Sequence, residues 1–381
     1  MIPILPSQIP RWLSQLVQIP SVSPSVAGPT DGAPGEEALA KQIAMWFTAL
    51  GGQVIVDEVE PHRPNVYGMW RGRSDRWVAV DVHMDTVSAA QMPADQFSGR
   101  VDGTRVYGRG AVDTKASLSV ILTLLEEMKQ SGIEPGPNLL IGATVDEEIG
   151  ATGAPAFARW IEKQPYSVEQ IVVAEPTLCI PVYGHKGVVR LEFEITGKSA
   201  HSSQPKMGQN AVVAGAQLVL ALVQEDERLQ QLNPSSELGN PTLTVSVIHG
   251  GTGINVVPAS CQISIDRRVV DHERAKDVAN QLIEFAQANS PLPLVAHTQK
   301  ELDAFYQSPQ IPWVQQLAQW SGSQEQVVPY GTNAWAYQGV VDQRIVIGPG
   351  SIDQAHGKEE WVEVSQLERM AEIYARWWEL A

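Results

Sequence analysis

The sequence predicts an α/β protein in two parts: a mostly parallel sheet flanked by helices, with a smaller ferredoxin-like α+β domain inserted into it. Short, nearly continuous Val, Ile, Leu and Ala runs alternate with helical stretches in the first half and return near the C-terminus. The middle third changes to alternating apolar and polar positions. Imidazole and carboxylate side chains gather just past the apolar runs, the edge at which open α/β sheets bind their ligands.

An amphipathic helix is predicted from Ile9 to Gln18, followed by the loop Pro20–Pro24 and a Gly/Pro-rich stretch to Gly35. A second helix runs from about Glu36 to Leu50, where Gly51 and Gly52 stop it. The apolar runs Val54–Val59, Trp77–Val82, Leu139–Val145, Ile171–Ala174 and Ile345–Ile347 read as strands. Buried on both faces, such strands need no polar alternation. Ser117–Gln130 is the clearest intervening helix.

Val188–Thr196 alternates instead, with Val189, Leu191, Phe193 and Ile195 on one face. Helix Asn210–Val223, strands Leu243–Ile248 and Cys261–Arg267, helix His272–Ala288 and strand Leu294–Thr298 follow. That β-α-β-β-α-β order is the split βαβ arrangement. Trp313–Trp320 and Leu367–Trp378 then resume helices of the first domain. The predicted domains are 1–185 with 300–381, and an insert at 186–299.

The chain has 381 residues, 43% of them hydrophobic, enough for two cores. A net charge of −16 argues against nucleic-acid binding and against docking on anionic membranes. Cys179 and Cys261 are the only cysteines, so no disulfide framework organises the fold. The N-terminus lacks the basic region of a secretory signal, and no run of about 20 apolar residues is present. A soluble, cytoplasmic protein is expected.

His83 and Asp85 follow the Trp77–Val82 run, and positions two apart on a strand point the same way. The imidazole can bind a metal while Asp85 orients it, although an isolated His-x-Asp is also common as a structural pair. Asp113 precedes a helix, where a carboxylate can bridge two cations or cap the helix. Glu147 and Glu148, with Asp146 beside them, end the Leu139–Val145 run; like charges this close call for a cation or a proton between them. One glutamate as ligand and the other as base divides the labour of activating water. Glu175 follows Ile171–Ala174, and His356 lies on the Gly-rich loop after Ile345–Ile347. Together these residues predict a hydrolytic centre of two adjacent divalent metals.

Eight stretches in order along the chain carry a resemblance: Val82–Thr86, Tyr107–Lys115, Asp146–Glu148, Ala174–Pro176, Gly197–Ser202, Gly250–Pro258, Asp266–Arg268 and Gly348–His356. The sequence resembles the dinuclear zinc aminoacylase and carboxypeptidase superfamily, which includes acetylornithine deacetylase, succinyl-diaminopimelate desuccinylase, aminoacylase and glutamate carboxypeptidase. The resemblance implies that His83 and Glu175 complete one metal site and Glu148 and His356 the other, with Asp113 bridging. It makes Glu147 the general base acting on a metal-bridged water, and Asp85 the partner of His83. It places His201 in the active site of the other subunit of a homodimer, where it holds the developing oxyanion. Asn255 and Arg268 match substrate-contacting positions, the arginine suited to a carboxylate; a turn residue and a strand salt bridge are the plain alternatives. Ala116 stands where the family commonly has glycine, and Asn333 where aspartate is frequent.

The expected reaction is hydrolysis of the amide of an N-acyl amino acid, a small-molecule substrate, with zinc as the default metal and cobalt or manganese compatible with the ligands. A carboxypeptidase or dipeptidase of the same superfamily is the alternative. A catalytically silent binding protein on the same scaffold is the alternative of another class. The peptide after Asp113 is often cis in the family.

Overall fold

The computed structural model describes residues 8–232 and 236–380. The chain divides into two compact units, one of Met1–Tyr183, Gln307–Gln326 and Thr332–Ala381, the other of Gly184–Tyr306 and Val327–Gly331. The second unit reaches beyond the 186–299 interval read from the sequence at both ends.

In the first unit the strands run, across the sheet, Gln53–Glu60, Arg63–Trp70, Asn138–Thr144, Trp77–His83, Val168–Val173 and Gln343–Val346. The last four are mutually parallel. Gln53–Glu60 and Arg63–Trp70 form an antiparallel hairpin that pairs antiparallel with Asn138–Thr144. The sheet is therefore mixed, parallel only at its centre. The hairpin arises because Pro61 and His62 turn the chain straight back, whereas each parallel neighbour needs a helical crossover. Arg63–Trp70 escapes a reading based on apolar runs because Pro64, Asn65 and Gly68 interrupt it. Pro64 sits at the strand's beginning, where the loss of a ladder N–H matters least.

Asn138–Thr144 and Trp77–His83 are buried at every position. On one face Val78, Val80, Val82, Leu139, Ile141 and Ala143 share a core with helices Gln8–Val17, Glu37–Ala49, Lys115–Ser131 and Val364–Trp377. The other face carries Tyr67, stacked on Phe157 of helix Gly153–Glu162 at 4.8 Å between ring centroids. Phe157 in turn meets Tyr337 edge-on. With both faces covered, the free places on this sheet are its edges and strand ends.

The second unit is a four-stranded antiparallel sheet in the order Thr242–Gly250, Ser260–Val269, Gly187–Thr196, Leu294–Leu302. Helices Ala211–Gln230 and Ala275–Asn289 pack on one face of it, over Val189, Leu191, Phe193, Ile195, Ile263 and Ile265. The β-α-β-β-α-β order with this strand arrangement is ferredoxin-like, as the alternation predicts. Among the described residues no helix is long and apolar enough to cross a membrane.

Candidate metal centre

The central parallel strands of the first unit end on one edge of the sheet, and the predicted residues stand along it. His83 is the last residue of its strand, Glu147 and Glu148 follow Asn138–Thr144, and Glu175 lies just beyond Val168–Val173. Asp113 stands on the turn before helix Lys115–Ser131; the N-cap of that helix is Thr114, so Asp113 does not cap it. The Asp113–Thr114 peptide is cis. His356 follows the short turn Ile352–Gln354 with a φ of 59°.

Their donor atoms form two groups: His83, Asp113 and Glu175, and Asp113, Glu148 and His356, each with its atoms within 4.8 Å of one another. His83 Nε2 lies 2.9 Å from Asp113 Oδ1 and 3.9 Å from Glu175 Oε1. His356 Nε2 lies 3.3 Å from Asp113 Oδ2 and 3.0 Å from Glu148 Oε2. Asp113 thus turns one oxygen to each group. Glu175 Oε1 is buried with no hydrogen-bond partner, a costly state for a carboxylate oxygen unless a cation faces it. Nitrogen and oxygen donors without thiolate also match hydrolytic rather than structural metal sites. The residues present fit two divalent cations.

The electrostatics point the same way. Burial pushes Glu147 up to about 8, with Glu148, Asp113 and Asp85 adding to it against the opposing charge of His83. Burial also raises Glu148 and lifts Glu175 well above the ordinary carboxylate range. For His83 burial opposes the charged form, but hydrogen bonds to Asp113 and Asp85 hold its pKa well above the usual value. His356, bonded to Asp113 and Glu148, rises to about 10. Asp113 is buried too, yet His356 and His83 drive its carboxyl well below the usual range. Left to the protein's own groups, protons and imidazolium ions must balance a surplus of carboxylates, the balance a pair of cations would supply.

The turn carrying Glu147 and Glu148 is held from two sides. Asp85 accepts the Glu147 amide on Oδ1 at 3.0 Å and the Glu148 amide on Oδ2 at 3.2 Å. His83 Nδ1 lies 3.0 Å from the Asp85 carbonyl and 3.5 Å from Oδ1, so His83 is oriented chiefly by the backbone of Asp85. On the other side Asp146, at a φ of 62°, donates its amide to Glu36 Oε1 and accepts Arg63 Nη1 at 2.9 Å. Arg63 also grips Glu36, Nη2 to Oε1 at 2.5 Å and Nε to Oε2 at 2.9 Å. The negative charge of Asp146 is therefore balanced by Arg63. Sequence reasoning did not find Glu36 or Arg63; no local pattern marks either as buried and paired. Buried Asn333 helps to hold down the pKa of the buried Asp81 carboxyl, which accepts hydrogen bonds from Thr144 and Tyr337.

His201, Asn255 and Arg268 belong to the second unit. His201 is exposed on a short bridge to Val256. Its Nδ1 lies 3.2 Å from the Ser203 amide and 2.8 Å from the Ser203 hydroxyl. Asn255 is exposed, and its carbonyl accepts the Ser202 amide. Arg268 pairs through Nε with Asp266 Oδ1 at 2.8 Å and is partly exposed.

The profile of peptidase family M20/M25/M40 matches residues 79–380. Among the chain's relatives, acetylornithine deacetylase of Vibrio vulnificus (strain CMCP6) is 28% identical over 382 residues, covering 97% of this chain and 98% of the relative. Among solved structures, the M20 family metallo-carboxypeptidase Sso-CP2 from Sulfolobus solfataricus aligns with a TM-score of 0.80 at 17% identity, over 98% of this chain and 99% of that one. Bacillus subtilis YXEP, described as a dinuclear metal binding peptidase from the M20 family, aligns with a TM-score of 0.69 at 16% identity, over 99% of both chains.

Proposed function

From the premise that this chain belongs to peptidase family M20/M25/M40 and is a metal-dependent amidohydrolase, we propose that it deacylates an N-acyl amino acid of the N-acetylornithine type. One observation carries the reading: half-buried Glu147 stands beside two N/O donor groups that share Asp113.

His83, Asp113 and Glu175 would hold one divalent ion, and Asp113, Glu148 and His356 the other, zinc being the default for such ligands. When bound, the ions supply Lewis acidity toward the amide carbonyl and make water acidic enough to deprotonate near neutral pH. Glu147 takes the proton of the attacking water and returns it to the departing amine nitrogen. Asp85 fixes the amides of Glu147 and Glu148, so base and ligand keep their spacing during the transfer.

His201 donates to the developing oxyanion, Asn255 contacts the substrate, and Arg268 receives its carboxylate in exchange for Asp266. In this reading His201 serves the partner subunit of a homodimer formed through the second unit. Exposed Val213, Leu220 and Val223 on helix Ala211–Gln230, with Val247 and Ile248 on the edge strand Thr242–Gly250, support such an interface. The second reading, a carboxypeptidase or dipeptidase, is favoured by the likeness to Sso-CP2.

The test is metal content by mass spectrometry on wild type and Glu147→Ala, with hydrolysis assayed on N-acetyl amino acids and dipeptides. Two metals in both proteins and a loss of at least about 100-fold in kcat in the variant are expected. N-acetylornithine should be preferred over every dipeptide; the reverse preference selects the peptidase reading. A wild type without metal under zinc-replete conditions refutes the mechanism.

A further inference from the structure

We infer that the buried Arg109–Glu360 pair positions the second donor group, and that metal affinity at Asp113, Glu148 and His356 depends on it more than affinity at His83, Asp113 and Glu175. The inference rests on the assignment of both donor groups to metals.

Glu360 is 1% exposed, and both its oxygens face the loop that carries Asp113. Oε1 accepts the amides of Val112 at 3.0 Å and Asp113 at 3.2 Å, while Oε2 accepts Arg109 Nη1 at 2.5 Å. The Glu360 carbonyl accepts the Gly108 amide at 3.0 Å. Arg109, 2% exposed, uses its other terminal nitrogen on the carbonyls of Ser88 at 3.0 Å and Gly357 at 3.3 Å. Gly357 directly follows His356. One charge pair thus ties the loop of the shared ligand to the loop of the ligand that serves only the second group.

Of the first group, only the shared Asp113 is reached by this tie. His83 is fixed by strand pairing to Thr144, and Glu175 by the Ala174 amide on the Asp81 carbonyl at 2.8 Å. His356 has no strand beneath it, and its side chain is half exposed. A buried ion pair is also a weak source of stability, since an apolar pair of similar volume often does as well. What an apolar pair cannot supply is the fork that reaches two amides and two carbonyls at once.

Stripped wild type, Glu360→Gln and Arg109→Lys are titrated with zinc against a chromophoric chelator, with thermal melts as the folding check. Arg109→Met combined with Glu360→Leu removes both charges together and serves where a single variant does not fold. Wild type should take up two equivalents. In each variant one equivalent should keep its affinity within about threefold, while the other weakens about 10–100-fold, the usual effect of losing an outer hydrogen bond to a ligand. Equal weakening of both sites, or of neither, overturns the inference and leaves the metal assignment standing. A wild type that binds fewer than two ions overturns both.

Discussion

The two donor groups share Asp113 but are held by different parts of the fold. His83 ends, and Glu175 lies just past, strands that are paired on both sides. Glu148 and His356 stand on turns, and their positions come from side chains: Asp85 under Glu148, and Arg109 with Glu360 behind His356. Backbone hydrogen bonds survive most substitutions, whereas a side-chain brace is lost with one residue. The second group should therefore be the more easily broken.

The largest effect is expected where the groups meet. Asp113→Ala removes an oxygen from each, so both metals should be lost and hydrolysis should fall to background, as read by metal analysis after dialysis. Next come the ligands that serve one group each. His356→Ala should leave one tightly held equivalent, whereas His83→Ala should weaken the strand-borne site. If His356→Ala empties both positions together, the two groups act as one unit and the contrast between them fails.

A smaller effect, on stability, separates buried braces from surface pairs. Arg63→Met leaves Glu36 and Asp146 without their cation in a buried setting and should cost about 3–5 kcal/mol in chemical denaturation. Arg76 pairs with Glu169 in the open, and Arg76→Met should cost less than about 1 kcal/mol. Similar costs at the two positions would mean that Arg63 does not brace the turn.

The same contrast explains what was legible in the sequence. Trp77–His83 and Asn138–Thr144 are buried throughout and read as nearly continuous apolar runs, so the ligands at their ends could be located. The small domain was legible for the opposite reason: one wet face enforces alternation along Gly187–Thr196. Arg63–Trp70 was missed because proline, asparagine and glycine interrupt it, and the Arg63 brace was missed with it. Arg63 meets Asp146 across 83 positions and Glu360 meets Asp113 across 247, so their burial depends on closures that no local window contains. Departures from the family pattern were also visible without their cause; only the fold brings Asn333 to the Asp81 carboxylate.

The last expected effect is a pH dependence, and it tests whether cations balance the carboxylates. In chelator-treated protein Glu147 binds its proton up to about 8, against 4.5 as an ordinary carboxylate, because burial disfavours the anion. Its stabilising proton is present below the ordinary value and is lost as pH rises through the folded one. His356, raised from 6.5 to about 10 by Asp113 and Glu148, loses stability in the same direction over a higher interval that overlaps the first. Asp113, held low by the two histidines, acts oppositely but only in acid. From pH 6 to pH 8 the chelated fold therefore holds more protons than the unfolded chain and should weaken, while Lys115, whose amine burial pushes down to about 7, opposes the trend above pH 7. Each net proton contributes at most about 1.4 kcal/mol per pH unit, and half-exposed His356 contributes less than the more enclosed Glu147. Zinc-loaded protein should show a shallower slope, since bound cations replace those protons. Urea denaturation of both forms at several pH values reads the difference, and a chelated protein that gains stability from pH 6 to pH 8 would show that protons do not stand in for cations at this edge of the sheet.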